Sequence, residues 1–140
     1  AIHWVQKGRH TPVDVRWQAG ERCTVMGSAG QLQQVMMNLL QNAFDAVGGP
    51  GVASPCVWVA MACEGTQVHV TVRDSGPGIP PEHLLRIFDP FFTTKPVGKG
   101  TGLGLSISYG IVEQHGGRLT VSNHAQGGAE FVVELPLAVG

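Results

Sequence analysis

The sequence predicts an α+β fold of two layers, a mixed and largely antiparallel sheet covered on one face by about three helices. Segments that alternate apolar and polar residues gather toward both ends of the chain, and segments with apolar residues at helical spacing lie between them. The length agrees: 140 residues suffice for one compact domain with a sizeable core, so residues 1–140 are expected to form a single domain.

Val13-Asp14-Val15-Arg16-Trp17 alternates and predicts a strand, with Cys23-Thr24-Val25-Met26 as its hairpin partner across Ala19-Gly20-Glu21. Ser28 suits the N-cap of a long helix, in which Leu32, Val35, Met36, Leu39, Leu40 and Ala43 recur at helical spacing. That helix stops before Gly48-Gly49-Pro50-Gly51. Two strands follow, Val57 to Met61 and Val68 to Val72, joined through Glu64-Gly65-Thr66. A Pro/Gly-rich loop runs from Asp74 to Pro81, and a short helix from Glu82 to Ile87. Residues from about Asp89 to Gly104 are rich in Gly and Pro and predict a mobile loop. A second long helix spans about Leu103 to His115 and stops at Gly116-Gly117. Arg118 to Asn123 and Glu130 to Pro136 close the chain as a hairpin. No internal repeat or domain boundary interrupts this order.

Composition narrows the function. Hydrophobic residues make up 43% and charged residues 14%, which is globular and not disordered. A net charge of −1 gives no electrostatic reason to expect nucleic acid or an anionic membrane as partner. Cys23, Cys56 and Cys63 form no CxxC pair and are odd in number, so they are expected to be reduced thiols of a cytosolic protein. No apolar run reaches the roughly 18 residues of a membrane span, and no signal peptide opens the chain. The chain starts at Ala1 without an initiator Met, and is expected to be a piece of something longer.

Four segments carry chemistry. Asn38-Leu39-Leu40-Gln41-Asn42-Ala43 puts two amides four residues apart on one helix face. An amide oxygen is a hard ligand suited to Mg²⁺, which also takes waters and phosphate oxygens. The alternative is a pair of polar residues on a solvated face. Val72-Arg73-Asp74-Ser75-Gly76-Pro77-Gly78-Ile79 delivers a carboxylate to the end of a strand and follows it with two glycines. A buried carboxylate accepts from an exocyclic amine, and glycines let backbone approach a flat ligand. The alternative is an Asp that opens a turn. Phe88-Asp89-Pro90-Phe91-Phe92-Thr93-Thr94-Lys95 reads as a hydrophobic anchor for the loop after it. Gly98-Lys99-Gly100-Thr101-Gly102-Leu103-Gly104-Leu105-Ser106 runs glycines straight into a helical pattern. Free amides and the positive end of the helix dipole make an anion site there, with Lys95 and Lys99 adding charge. The alternative is a flexible linker. The segment is neither a Walker A loop nor a dinucleotide fingerprint, because it lacks the GK[ST] ending and an immediately preceding strand.

Asn-x-x-x-Asn-Ala, Asp-x-Gly-x-Gly, Phe-Asp-Pro-Phe-Phe and Gly-Thr-Gly-Leu-Gly-Leu, in this order, resemble the N, G1, F and G2 boxes of sensor histidine kinases, within the wider GHKL ATP-binding superfamily. The resemblance runs from about Ser28 to Pro136. Phe91-Phe92-Thr93-Thr94-Lys95 and Asn42-Ala43-Phe44-Asp45-Ala46 are most similar to the nitrogen-regulation and C4-dicarboxylate sensor subgroup. It implies a Bergerat-type ATP-binding fold and the cofactors ATP and Mg²⁺. It implies that Asn42 is the main Mg²⁺ ligand with Asn38 in support, and that Asp74 recognises adenine in a pocket shaped by Gly76 and Gly78. Residues 92–100 would form a lid over ATP, and amides around Gly102, Leu103 and Gly104 would hold phosphate. Lys95 and Lys99 are candidates for phosphate contact, Lys95 with a catalytic role beside Asn38 and Asn42. Ile79, Phe88, Gly100, Thr101 and Leu105 complete the expected nucleotide-binding set. The implied partners are the kinase's own dimerisation and phosphoacceptor domain and, through it, a response regulator. The chain alone would be monomeric, and the whole kinase a homodimer anchored in a membrane with this portion in the cytoplasm.

Two positions depart from the family pattern. Asp45 stands where many histidine kinases have a basic residue, so it either points away from phosphate or acts through Mg²⁺. Gly128-Ala129-Glu130-Phe131 lacks the hydroxyl of the usual Gly-Thr-x-Phe. Competing functions are an ATP-driven conformational clamp, a serine kinase of the anti-sigma type, and a non-catalytic ATP-binding or docking module. Clamp ATPases carry a Glu where this chain has Asn38, and an amide cannot take the proton of an attacking water. None of the six histidines lies on a heptad-patterned helix before an acidic residue, so none is assigned as the phosphoacceptor.

Overall fold

Side-chain alternation along the strands builds the sheet, and two helices cover the face that it makes apolar. The computed structural model describes residues 14–19, 27–48, 55–90 and 104–136, the first of these stretches as backbone. The elements are β1 (Asp14–Ala19), α1 (Ala29–Val47), β2 (Cys56–Glu64), β3 (Gln67–Asp74), α2 (Pro81–Leu84), α3 (Gly104–Gln114), β4 (Arg118–Asn123) and β5 (Ala129–Pro136). Among the described residues the sheet has five strands in the order β1-β2-β3-β5-β4. β1 and β2 are parallel, and the other three pairs are antiparallel. The sheet is therefore mixed and largely antiparallel, as expected.

Period-2 burial is clearest on β5, where Ala129, Phe131, Val133 and Leu135 are buried and the residues between them are not. They join Val57, Val59, Val72 and Leu119 under Val35, Leu39, Leu40, Ala43, Phe44 and Val47 of α1 and Ile111 and Val112 of α3. Each Val, Leu, Ile and Phe among them contributes about 1.5–3 kcal/mol on burial, so this seam dominates the stability of the fold. On the opposite face the Arg73 guanidinium lies 4.2 Å from the centre of the Trp58 ring.

Local chemistry sets the helix ends. Ser28 Oγ accepts from the Gln31 N–H at 3.2 Å, which satisfies one of the free donors of the first turn of α1. At the other end the Gly48 N–H donates to Phe44 O. α3 lies antiparallel against α1. At its last turn His115 donates from Nδ1 to Ile111 O and accepts at Nε2 from the Ser28 N–H, so one imidazole ties the end of α3 to the start of α1. Among the described residues no helix is long and apolar enough to cross a membrane.

Some expectations change. The first strand runs on through Ala19, and its partner among the described residues is β2; the expected partner, residues 23–26, lies outside them. β2 and β3 are longer than their apolar runs suggest: Cys56 and residues 62–64 extend β2, and Gln67, Arg73 and Asp74 extend β3. The short helix is only Pro81–Leu84. It passes into three-residue turns, with the Arg86 N–H on His83 O and the Asp89 N–H on Arg86 O. α3 begins at Gly104, and Leu103 lies outside the described residues. Cys56 is a buried free thiol, but Cys63 is disulfide-bonded, and Cys23 lies outside the described residues. The expectation of three reduced thiols fails at Cys63, since an odd count excludes complete pairing and still leaves room for one disulfide.

Candidate functional site

α1 presents Asn38, Asn42 and Ala46 at successive four-residue steps, one row along the helix about 12 Å long. Each end of the row meets a different element. At Asn38 the helix touches the start of α3, and at Ala46 it touches the loop after β3.

At the first end, Asn38 Nδ2 donates to Gly104 O at 3.1 Å and to Ser108 Oγ at 3.1 Å. Ser108 is fully buried and donates its own hydroxyl to Gly104 O at 2.9 Å. A carbonyl only accepts, so the amide must turn its nitrogen to Gly104 O and Ser108 Oγ, which leaves Oδ1 without these partners. Asn38 thus holds the first turn of α3 in place, where N–H groups and the helix dipole favour an anion. Asn42, one turn on, is half-buried, and its amide makes no hydrogen bond among the described residues. Asp45 accepts from Gln41 Nε2 at 3.0 Å, so its carboxylate is engaged along the helix surface by an exposed amide.

At the second end stands Asp74, the last residue of β3, with 1% of its surface exposed. Its Oδ1 accepts from the Gly76 N–H at 2.8 Å and the Ala129 N–H at 3.3 Å. Oδ2 has no hydrogen-bond partner among the described residues and is free to accept from a ligand. Desolvation by burial pushes the carboxyl above its ordinary value, against the opposing pull of these two N–H groups and the neighbouring Arg73 charge. Gly76 is buried against α1, where an added Cβ would lie 2.9 Å from Ala46 O. Gly128, at φ +87°, presses on the Asp74 backbone so closely that a Cβ there would collide with the Asp74 carbonyl oxygen. Ser75 fixes the loop from the other side: its N–H donates to Cys56 O at 3.0 Å, and its Oγ accepts from the Cys56 N–H at 2.9 Å.

The remaining sequence-derived residues divide. Phe88 stacks at 5.1 Å on Tyr109 and meets Phe131 edge-on at 6.3 Å, so this end of the expected anchor packs on the core, and residues 91–95 of it lie outside the described residues. Ile79 and Leu105 pack against the core. Gly78 lies at the rim of the Asp74 loop, beside Asn123. Lys95, Lys99, Gly100, Thr101, Gly102, Leu103 and the expected lid, residues 92–100, lie outside the described residues. The structure adds Ser108, Gly128, Ala129 and Asn123, which hold site residues in place. Only Gly128 and Ala129 carried a signal in the sequence, as part of Gly128-Ala129-Glu130-Phe131, the counterpart of the family's Gly-Thr-x-Phe. Among the described residues no group of three or more His, Cys, Asp or Glu could hold a metal ion, which leaves the amides as the candidate ligands.

With this geometry in hand, the chain can be set beside known proteins. A family profile described as histidine kinase-, DNA gyrase B- and HSP90-like ATPase matches residues 27–139. The two-component sensor PprA of Pseudomonas aeruginosa is 54% identical over 121 residues, covering 84% of this chain and 13% of PprA. The catalytic domain of the histidine kinase ThkA superposes with a TM-score of 0.76 at 37% identity, covering 89% of this chain and 80% of that one. ThkA has also been crystallised in complex with the response regulator protein TrrA. Full-length ShkA in complex with AMPPNP superposes with a TM-score of 0.76 at 30% identity, covering 91% of this chain and 26% of ShkA. The chain therefore spans a small part of such whole sensors and most of an isolated catalytic domain. Its profile match, its identity to PprA and its likeness to ThkA agree: the chain belongs to the histidine kinase-, DNA gyrase B- and HSP90-like ATPase family.

Proposed function

We propose that this chain binds Mg-ATP and positions the γ-phosphoryl group for transfer to a histidine on a separate dimerisation domain of the same kinase. The observation that carries the reading is the α1 row. It sets a buried carboxylate with one free oxygen at Ala46, an uncommitted amide at Asn42, and the start of α3 at Asn38. Asp74 Oδ2 accepts from the adenine amino group, and Gly76, which lets the loop pack against Ala46, shapes the pocket beside it. The first turn of α3 meets the phosphates, with Lys95 and Lys99 adding charge from the preceding segment. Asn42 Oδ1 would hold Mg²⁺ with Asn38 Oδ1 in support, and both donors suit this hard cation. When bound, the ion neutralises phosphate charge. The residues of this chain do the rest by orientation, the main requirement of phosphoryl transfer.

ThkA bound to TrrA supports a response regulator as the downstream partner, reached through the phosphoacceptor domain. The whole kinase is a homodimer in this reading, anchored in a membrane with this portion in the cytoplasm. The catalytic portion alone is monomeric. Hydrolysis by water is disfavoured because the row offers amides, and Asp45 on the same helix is engaged by Gln41.

Titration calorimetry of the 140-residue chain with Mg-ATP is expected to give a single-site isotherm, and incubation with radiolabelled ATP to leave the chain unlabelled. No heat at millimolar nucleotide would end the ATP reading. An acid-labile phosphohistidine on this chain would contradict an acceptor elsewhere.

A further inference from the structure

Asn123 is the last residue of β4, and no box contains it. Its side chain grips the backbone of Ile79 from both sides: the Ile79 N–H donates to Asn123 Oδ1 at 2.7 Å, and Asn123 Nδ2 donates to Ile79 O at 2.8 Å. The amide thus mimics one rung of an antiparallel ladder and docks the Asp74–Pro80 loop onto the end of β4. Gly78, next to the gripped residue, sits at φ +83°, and a Cβ there would stand 2.9 Å from Asn123 Oδ1, so the grip needs glycine at 78. Asn123 is exposed, so these two short bonds are not a by-product of core packing.

We infer that Asn123 is a positioning residue for the nucleotide base. It fixes the Gly78–Ile79 segment at the rim of the pocket whose floor is Asp74, so the site reads the base through a preformed edge. The inference rests on the nucleotide-binding reading above. Asp74 and Gly76 are already tied to β5 and α1 by other contacts, which leaves Asn123 as the described hydrogen-bond tie on the far end of the loop. Without it, the Gly78–Ile79 backbone loses its fixed position beside the base, while the Ile79 side chain stays packed against the core and the fold remains. The phosphate end, at Asn38 and α3, is on other elements and is left unchanged.

The test is the ATP-over-GTP preference, measured as the ratio of concentrations that displace a methylanthraniloyl Mg-ATP analogue from the chain. Asn123→Ala is expected to lower that ratio about tenfold, as for two modest hydrogen bonds, with the thermal midpoint lowered by only a few degrees. Asn123→Asp keeps the acceptor for the Ile79 N–H and sets a carboxylate against Ile79 O; it also lowers the ratio, and serves if the Ala variant fails to fold. An unchanged ratio in a folded variant overturns the inference, even if affinity for both nucleotides falls together, because a merely structural role predicts that common fall. A wild-type chain that binds no ATP removes the nucleotide reading itself, whereas one that binds ATP and GTP alike overturns this inference alone.

Discussion

Replacing Asp74 by Asn alters one atom of a side chain whose two oxygens have separate duties. Oδ1 is held by the Gly76 and Ala129 N–H groups. An Asn oxygen can take both bonds, so the loop keeps its shape. The amide nitrogen then replaces Oδ2 and turns a donor toward the adenine amine. The lost interaction is a hydrogen bond to a charged acceptor, worth about 1.5–3 kcal/mol. That corresponds to a rise in the Mg-ATP dissociation constant on the order of 10- to 100-fold. Calorimetric titration of wild type and variant, with a thermal melt on each, checks both halves. Unchanged affinity in the folded variant would refute the assignment of Asp74 to the base.

The same carboxyl gives the pH dependence. Burial raises its pKa from the ordinary 3.8, so between that value and the raised one the folded state binds more protons than the unfolded state. Across this window ionisation of Asp74 opposes folding, and its contribution to stability declines as pH rises. Asn at 74 carries no such cost. The melting point of Asp74→Asn is therefore expected to match or exceed wild type at neutral pH, with the difference shrinking as the pH falls toward 3.8. ATP affinity runs the other way in wild type and drops on acidification as the free oxygen takes a proton. A variant whose advantage grew in acid would show the sign to be wrong.

Asn42→Ala should remove the Mg²⁺-dependent part of ATP binding, so that its affinity in Mg²⁺ matches that in EDTA; a persisting Mg²⁺ increment would assign the metal elsewhere. Gly128→Ala pushes a Cβ into the Asp74 carbonyl at positive φ and should destabilise the fold by at least about 1–2 kcal/mol, read from urea unfolding, and weaken ATP binding with it. A variant as stable as wild type would show that the β4–β5 turn relaxes freely.

Much of this was readable before any coordinates, because the signals are local. Ser28, the 3.6-residue spacing from Leu32 to Ala43 and the Gly48 stop locate α1 within a residue, and alternation locates β3 and β5. Asn38 and Asn42 share a face by helix geometry alone, and Asp74 ends a strand because glycines follow it. Long-range pairing was not readable. Nothing in Val13–Trp17 announces a parallel partner some 40 residues away, since an isolated strand pattern carries no register. The helpers were hidden for the same reason. Ser108 looks like any serine in a helix until Asn38 reaches it across 70 residues, and Asn123 looks like the end of a strand until Ile79 meets it across 44. The Cys63 disulfide likewise depends on a partner that spacing does not name.

The choice of amides in the α1 row has a physical logic within the proposed function. A nucleoside triphosphate already carries several negative charges, and carboxylate ligands would add more beside them. Neutral oxygens at Asn38 and Asn42 can bind a divalent cation without that repulsion. They also cannot accept a proton at useful pH, so a water beside the γ-phosphate finds no base. A site built this way holds the phosphoryl group without spending it. The nucleophile must bring its own lone pair, as a neutral imidazole does, and transfer waits until another domain presents one. What α1 contributes is a fixed distance. Leu39, Leu40, Ala43, Phe44 and Val47 bury its opposite face, so the row from Asn38 to Ala46 cannot stretch, and a base seated at Asp74 determines where the phosphates lie against α3.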